Sequence, residues 1–449
     1  MTFEPGLHVH IVGVGGAGMS GLARLLVERG CVVSGSDEQD STVLADLAAS
    51  GVATAVGHDG GHVDGAAIVL WSPAVSSDNV ELRAASRRGA ELMSRSRVLA
   101  ALAHEQSVVG LTGTHGKTTA TSMMVHVFVA AQRDPSWLLG APVLGVGANG
   151  HWGSRELVLE VDESFGTFEE LVPSSLGLLN VESDHLDYYR TRDALEGAFV
   201  NLLDRTTGPV VAWSDDDGAR RLVGRAHRAI VTVGRADANV LVSGEKFSRR
   251  SAYFRLDSDG SHLEIELGVT GAHNVANAAV VATLAVELGI DAVSIARGLA
   301  TFRGAPRRFE LRGRWRGADV YEDYAHLPGE VSATLAAARS AGYQHVTAVF
   351  QPHRVTRTSA LASTFGGAFD DADVVIVTDI YRAGEPNPLG VTGELIARAV
   401  STSRSVQYAA TFADVVQLLI DATPTEAIVL LGAGDVGRIA TLLPGGLES

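Results

Sequence analysis

The chain has 449 residues, 46% of them hydrophobic, a formal net charge of −16 at pH 7 and one cysteine. That length argues for about three domains with ample core, and an acidic balance without a long basic run argues against a nucleic-acid or anionic-membrane surface. Lone Cys31 excludes an internal disulfide pair and suits a reducing cytosol, so a cytoplasmic protein is expected; the short N-terminal apolar run Leu7–Val14 is no signal peptide, and no apolar stretch approaches a membrane span.

The N-terminal stretch alternates strand-like runs at His8–Val14, Cys31–Ser34 and Ala67–Trp71 with helical patterns at Ser20–Arg29, Thr42–Ser50, Asn79–Arg88 and Arg97–His104. After the first strand comes Gly13-Val14-Gly15-Gly16-Ala17-Gly18, a G-x-G-x-x-G string, with Asp37 following the second strand, 19 residues past Gly18. Read alone, this is a dinucleotide site, with a diphosphate at a helix N-terminus and Asp37 on a ribose. The string certifies a close diphosphate more than it certifies a nicotinamide, and glycines kept only for tight packing are the alternative.

A second unit begins with strand Ser107–Leu111 and helix Thr119–Ala131, joined by Gly113-Thr114-His115-Gly116-Lys117-Thr118-Thr119. Strand, glycine turn, then Gly-Lys-Thr opening a helix is the construction that holds nucleotide triphosphates. Backbone N–H groups face the phosphates, Lys117 reaches the β and γ oxygens, and the Thr118 hydroxyl can ligand Mg²⁺. The spacing departs from the strict phosphate-loop pattern, whose first glycine would fall on Leu111, so a plain glycine turn capping a helix is the competing reading. Only two lysines, Lys117 and Lys246, stand against 34 arginines. A compact ammonium fits a crowded phosphate loop where a guanidinium does not.

The unit continues through strands Leu157–Val161, Leu176–Val181 and Val210–Trp213, becomes β-rich over Ser251–Leu267 and closes with helix Asn274–Leu288. Leu159-Glu160-Val161-Asp162-Glu163-Ser164 and Asn180-Val181-Glu182-Ser183-Asp184-His185 lie at two strand ends, on the carboxyl edge that faces the loop. Glu160 and His185 can ligand Mg²⁺ opposite a triphosphate; solvated acidic turns are the alternative. Gly271-Ala272-His273-Asn274-Val275-Ala276-Asn277 leads into an alanine-rich helix, where Asn is also a common cap. The arginine- and glycine-rich stretch Arg303–Arg316 marks the second boundary. Beyond it, strands Val346–Phe350, Val374–Thr378 and Ala427–Leu431 alternate with helices such as Val331–Ser340. His353-Arg354-Val355-Thr356-Arg357 after a strand is a ready anion clamp. The pattern is α/β, three units with mainly parallel sheets.

The strings GVGGAGMSG, SGSD, GTHGKTT, EVDES, NVESDHLD, HNVANAA, RRFE, DYAHLP, QPHRVTRT and LGAGD run in this order from residue 13 to residue 435, and together the chain resembles the bacterial Mur ligases. The resemblance implies three domains: a Rossmann-like N-terminal domain over 1–106 for the UDP end of the substrate, a P-loop-type central ATPase domain over 107–302, and a Rossmann-like C-terminal domain over 303–449 that closes over both. The implied reaction moves the ATP γ-phosphoryl group to the carboxylate of UDP-N-acetylmuramate, and the amine of L-alanine then attacks the acyl phosphate. Carried over by position, Gly113 to Thr119 hold ATP, with Lys117 on the β/γ phosphates, Thr118 and Glu160 on one Mg²⁺ and His185 on another. Asn274, Asn277, Arg308 and Asp323 meet the rest of the nucleotide. Gly15, Gly16, Gly18, Met19, Ser20 and Asp37 hold the UDP moiety, which makes the diphosphate part of a substrate. Tyr324, His326, His353, Arg354 and Arg357 serve the muramyl and alanine ends, His326 among the catalytic groups. A monomer or weak homodimer is expected.

Some relatives support the second Mg²⁺ with a carbamylated lysine; no lysine lies between Lys117 and Lys246, so that modification has no site after His185. The family usually has a small polar residue where Phe165 and Leu179 stand, Asp at Glu322, a second His at Leu327 and an aromatic at Val355. Leu327 and Val355 bear on amino-acid preference rather than ATP use, and Leu179, Leu327 and Val355 motivate one rival reading, a catalytically impaired or altered-specificity homologue. A nicotinamide dehydrogenase built on Gly13–Gly18 is the other, and it leaves the second glycine loop unexplained.

Overall fold

The structure, a computed structural model, describes residues 3–72, 75–166, 168–182, 184, 186–400, 405–422 and 425–448. It divides into two compact units. The first takes Met1–Gly244, Phe254–Leu267 and Ala276–Arg303; the second takes Glu245–Tyr253, Gly268–Val275 and Gly304–Ser449.

The first unit carries two sheets. Strands β1 (His8–Val12), β2 (Val32–Asp37), β3 (Ala53–Val56), β4 (Ile68–Trp71) and β5 (Glu91–Ser94) form a parallel sheet in the order β3-β2-β1-β4-β5. Helices α1 (Ala17–Glu28), α2 (Thr42–Ala49), α3 (Val80–Arg88) and α4 (Arg95–Ala103) alternate with them. The order reverses at β1, so a crevice opens beyond the carboxyl ends of β1 and β4, where such sheets bind ligands. β1 stops at Val12 rather than Val14 because Gly13 turns the chain out of the sheet at φ 75°.

The second sheet is ten-stranded. Its strands are β6 (Ser107–Thr112), β7 (Ser136–Leu138), β8 (Gly150–His151), β9 (Glu156–Val161), β10 (Ser175–Leu178), β11 (Val210–Trp213), β12 (Val231–Gly234), β13 (Val240–Phe247), β14 (Ala252–Ser258) and β15 (Ser261–Leu267). The order β15-β14-β13-β12-β11-β10-β6-β9-β7-β8 sets β9 and β10 on either side of β6, all parallel, so the acidic strand ends do flank the glycine loop. The parallel pattern breaks at β7–β8, which is antiparallel. Helix α5 (Lys117–Ala130) starts two residues earlier than the sequence pattern suggests, straight from Gly116 at φ 83°. Ten of its residues, Thr119 to Phe128, are buried, which is why the helix lacks a polar face.

Helix α1 lies directly on β8. A Cβ on Gly150 would stand 1.9 Å from the Gly21 carbonyl oxygen, and one on Gly21 would stand 2.7 Å from Leu138 Cδ1. Asn149 seals this seam, its Nδ2 donating to Ala17 O at 2.8 Å and Ser20 Oγ at 3.0 Å while its Oδ1 accepts from Arg24 Nη1 at 3.0 Å. His151 Nδ1 stands 2.7 Å from Glu28 Oε2, and the Arg29 guanidinium lies over the Trp152 ring.

In the second unit, β16 (Glu310–Trp315), β17 (Ala318–Asp323), β18 (Val346–Phe350), β19 (Val374–Thr378), β20 (Ser405–Ala409) and β21 (Ala427–Leu431) run in the order β16-β17-β21-β18-β19-β20, with only β16–β17 antiparallel among these pairs. The stretch taken as a boundary thus holds an antiparallel edge strand. Apolar clusters cover both faces, one around Tyr343, Phe350 and Phe369, the other around Trp315, Val349 and Leu430. The helix Pro328–Ser340 begins three residues before the apolar pattern, on a proline whose fixed φ suits a first turn.

Candidate functional site

At the carboxyl edge of the five-stranded sheet lies a cavity of about 950 Å³. Gly13, Gly16, Ala17, Gly18 and Met19 form one wall, Asp37, Glu38 and His58 another, with Ser76, Asn79, Arg95, Asp162 and Ser164 completing it. Asp37 Oδ2 accepts from the Gly15 N–H at 2.9 Å, so this acid shapes the loop from within the cavity wall. A Cβ on Gly18 would lie 2.7 Å from the Arg95 guanidinium carbon. An arginine over a helix N-terminus is an arrangement that favours an anion. Its Nε is buried without a hydrogen bond among the described residues, which suits an anion that is not part of the chain. Arg95 opens α4, and only the fold brings it here. Ser20 behaves differently from its expectation: it is buried in the seam, its hydroxyl donating to Ala17 O at 3.0 Å and accepting from Asn149.

The second loop brings together most of the residues expected to hold a triphosphate. Asn180 clamps it, its carbonyl accepting from Thr114 N at 3.1 Å and its amide oxygen from His115 N at 2.7 Å. Thr114 Oγ1 accepts from Glu182 N at 2.9 Å. Thr118 Oγ1 donates to Glu160 Oε1 at 2.7 Å, so a hydroxyl and a carboxylate, both hard oxygen donors, stand together as an Mg²⁺ site requires. Glu160 Oε2 accepts from Gly140 N at 2.9 Å. Thr119 is buried in the first turn of α5. His185 lies outside the described residues, and so does the side chain of Phe165. Among the described residues, no group of three His, Cys, Asp or Glu side chains could hold a metal ion.

Lys117 is largely buried. Its Nζ donates to Glu163 Oε2 at 2.9 Å and Gly113 O at 2.7 Å and stands 3.6 Å from Asp162 Oδ1. Burial pushes the ammonium down, but the Glu163, Asp162 and Glu160 carboxylates outweigh it and hold Lys117 above the usual lysine value. Burial also raises Glu163, which Lys117 only partly offsets, whereas Lys117 and the Ser164 hydrogen bonds hold the half-buried Asp162 below the usual carboxylate range. The lysine therefore stays charged against these carboxylates.

Asn277 closes the loop from the helix Ala272–Glu287: a Cβ on Gly116 would lie 2.7 Å from Asn277 Oδ1, at a backbone φ of 83° that L residues rarely adopt. Gly116→Ala is therefore expected to weaken ATP binding about tenfold or more through strain and displacement of Asn277. Nucleotide titration by calorimetry checks this, and unchanged affinity would contradict the cradle. Asn274 is buried, with its Nδ2 donating to Thr270 O at 2.7 Å.

In the second unit the arginines, the aromatic rings and Asp323 gather at the carboxyl end of β17. Asp323 accepts from the Phe309 and Ala325 N–H groups, each at 2.7 Å; burial pushes it up to about 6 against the pull of Arg308. The Arg307 and Arg308 guanidinium groups lie 4.8 and 5.1 Å from the Tyr324 ring. His326 Nδ1 donates to Tyr324 O at 3.0 Å, which leaves Nε2 to accept; its ring meets His353 edge-on at 5.7 Å. His353 stacks on Tyr381 and its Nδ1 lies 3.3 Å from Arg357 Nη1. Burial lowers both histidines; His326, Arg357 and Arg354 also act on His353, bringing it to about 4. Both rings are thus neutral near pH 7. Arg354 sits at φ 68° with Nη1 4.0 Å from Glu385 Oε1. Glu322 pairs with Arg307 at 2.8 Å and with Arg312, an anchoring role. Leu327 caps the helix Pro328–Ser340, and Val355 and Leu179 are buried.

Three family models match in chain order: the Mur ligase family, catalytic domain over residues 8–107, the Mur ligase middle domain over 111–285 and the Mur ligase, glutamate ligase domain over 307–434. The chain is 40% identical over 445 residues to a UDP-N-acetylmuramate–L-alanine ligase of Saccharopolyspora erythraea, covering 95% of this chain and 91% of the relative. It is 44% identical over 404 residues to one of Kineococcus radiotolerans, covering 87% and 85%. The crystal structure of the UDP-N-acetylmuramate–alanine ligase of Thermotoga maritima superposes with a TM-score of 0.83 at 28% identity, covering 96% of this chain and 97% of that one. A murein peptide ligase of Psychrobacter arcticus shares the fold at 22% identity and a TM-score of 0.70. With two glycine loops, an ordered run of family strings and three matching domain models, the chain belongs to the Mur ligase family.

Proposed function

We propose that this protein ligates L-alanine to the carboxylate of UDP-N-acetylmuramate at the expense of ATP, in the synthesis of peptidoglycan precursors. The observation that carries the reading is the pairing of two phosphate-binding loops in one compact unit, one beside Arg95 and one beside Lys117, Thr118 and Glu160. A free carboxylate is a poor electrophile with a poor leaving group, and phosphorylation supplies both needs. The chain's share is positioning and charge neutralisation. Lys117 would leave Glu163 for the β/γ oxygens, and Thr118 with Glu160 would hold Mg²⁺, which supplies charge neutralisation at the transferred phosphoryl group. Arg357, Arg354 and Tyr324 would bind the carboxylate ends, and neutral His326 would take a proton from the alanine ammonium. Domains over 1–106, 107–302 and 303–449 divide these tasks. Among the described residues no helix is long and apolar enough to cross a membrane, and the reading proposed is an enzyme of the cytoplasm, where its nucleotide substrates are made.

The test is phosphate release from ATP with Mg²⁺ and UDP-N-acetylmuramate, compared across L-alanine, L-serine and glycine. L-Alanine should give the highest kcat/KM. No release with any of the three would overturn the assignment in favour of an inactive homologue, and a preference for serine or glycine would trace to the departures at Leu327 and Val355.

A further inference from the structure

Glu81, in the first turn of α3, is completely buried, yet its surroundings hold it below the usual carboxylate range. Burial opposes the charge, and the nearby His10 ring together with hydrogen bonds from Ser36 and His62 outweighs it and pulls the group down to about 2. Among the described residues its ion-pair partners are histidines alone. His62 Nδ1 is 2.7 Å away, His58 Nδ1 2.9 Å and His10 Nε2 3.8 Å, and Ser36 Oγ donates at 2.6 Å. These partners come from β1, from β2 and from the segment after β3. A buried carboxylate is a costly way to pack a core, so its presence calls for a task that charge performs.

That task is visible at His58. Its ring lines the cavity and is 24% exposed, whereas Glu81 is sealed behind it. An ionised carboxylate only accepts hydrogen bonds, so His58 Nδ1 carries a proton, and in the neutral ring Nε2 then keeps a lone pair. The Ser36 hydroxyl, 3.1 Å from Nδ1, already donates to Glu81 and supports the same tautomer. His58 follows β3, on the far side of β2 from the glycine loop after β1. With strands about 4.8 Å apart, it stands roughly 5 to 10 Å along the sheet edge from that loop. A diphosphate at Gly13–Gly18 puts its nucleoside at that distance.

We propose that Glu81 is a positioning residue that fixes the His58 tautomer, so that Nε2 accepts a hydrogen bond from the nucleoside half of the substrate. The inference rests on the reading of this cavity as the uridine-diphosphate site. Calorimetric titration of the full chain with UDP, and separately with inorganic pyrophosphate, tests it. Glutamine places its amide near the Nε2 position and asparagine near Nδ1. His58→Gln should therefore keep UDP affinity within about twofold, while His58→Asn weakens it about five- to tenfold, the value of one hydrogen bond. Pyrophosphate affinity should stay unchanged in both. Glu81→Gln should weaken UDP binding about tenfold, because an amide N–H facing Nδ1 moves the ring proton to Nε2, as ¹⁵N shifts of the ring would report. Equal losses for Asn and Gln, the reverse order, or a parallel loss of pyrophosphate would overturn the proposal while leaving the site's assignment intact. A wild-type chain that binds pyrophosphate but not UDP would overturn that assignment and this proposal with it. If Glu81→Gln fails to fold, the His58 pair decides alone.

Discussion

Lys117→Met is expected to abolish ATP-dependent phosphate release, with a loss of at least about a thousandfold, while UDP binding persists. Removing a single donor aimed at developing charge already costs about a hundred- to a thousandfold in other enzymes. Here no second lysine lies in the stretch up to Lys246 to stand in, and an arginine is too broad for a loop whose Nζ contacts are backbone carbonyls. Lys117→Arg should therefore rescue little. The variant has a second signature. It leaves the Glu163 and Asp162 carboxylates without the ammonium that neutralises them, a loss on the order of 3–5 kcal/mol for a broken buried pair. Burial already raises Glu163, and the variant drives it higher. A raised folded pKa gives stability that is present at low pH and lost as pH rises through that value. The drop in melting temperature relative to wild type should thus be largest near pH 8 and shrink toward pH 5. Melting curves at the two pH values, alongside a phosphate-release assay, check both parts. Persistent turnover would sink the catalytic role, and a deficit independent of pH would sink the electrostatic one.

Glu160→Gln is expected to raise the Mg²⁺ concentration for half-maximal activity by about a hundredfold, with little change in melting temperature. Both carboxylate oxygens have fixed partners, Thr118 Oγ1 as a donor to one and Gly140 N–H to the other. Glutamine can keep its carbonyl on Gly140 and turn its NH₂ toward the Thr118 hydroxyl, which can reverse and accept. Shape and hydrogen bonds survive, and the anionic oxygen that a hard cation needs is lost. An Mg²⁺ titration of phosphate release at saturating ATP separates the two effects. An unchanged half-saturation would remove Glu160 from the metal site.

What could be read from the chain followed burial. Val210–Trp213, Val346–Phe350, Val374–Thr378 and Ala427–Leu431 appear as strands with the bounds their apolar runs suggest, since strands covered on both faces read as continuous hydrophobic stretches. β3 was illegible because none of its four residues is buried, and β16 because it alternates arginines at 312 and 314 with inward residues on a half-solvated edge. Leu176–Val181 is shorter as a strand because the chain leaves the sheet after Leu178 to bring Asn180 against the phosphate loop. The same logic divides the site. Residues held in one short motif, such as Thr118 and Lys117, were legible, as was Glu160 at a strand end. Arg95, Glu163, His58 and Glu81 reach their positions only through long-range packing, and Ser20 looks like part of a motif while facing Asn149.

The contact of α1 with β8 has a mechanical meaning. The helix that follows the first glycine loop meets, backbone on backbone at Gly21 and Gly150, the margin of the sheet that bears the second loop. A hinge needs slack, and there is none here for even a methyl group. At this seam the helix and the sheet margin meet with no intervening side chain, so a substitution at either glycine would have to push them apart. Glycines and small hydroxyls in this stretch answer to two constraints, anion binding at one end of the helix and carpentry along its side.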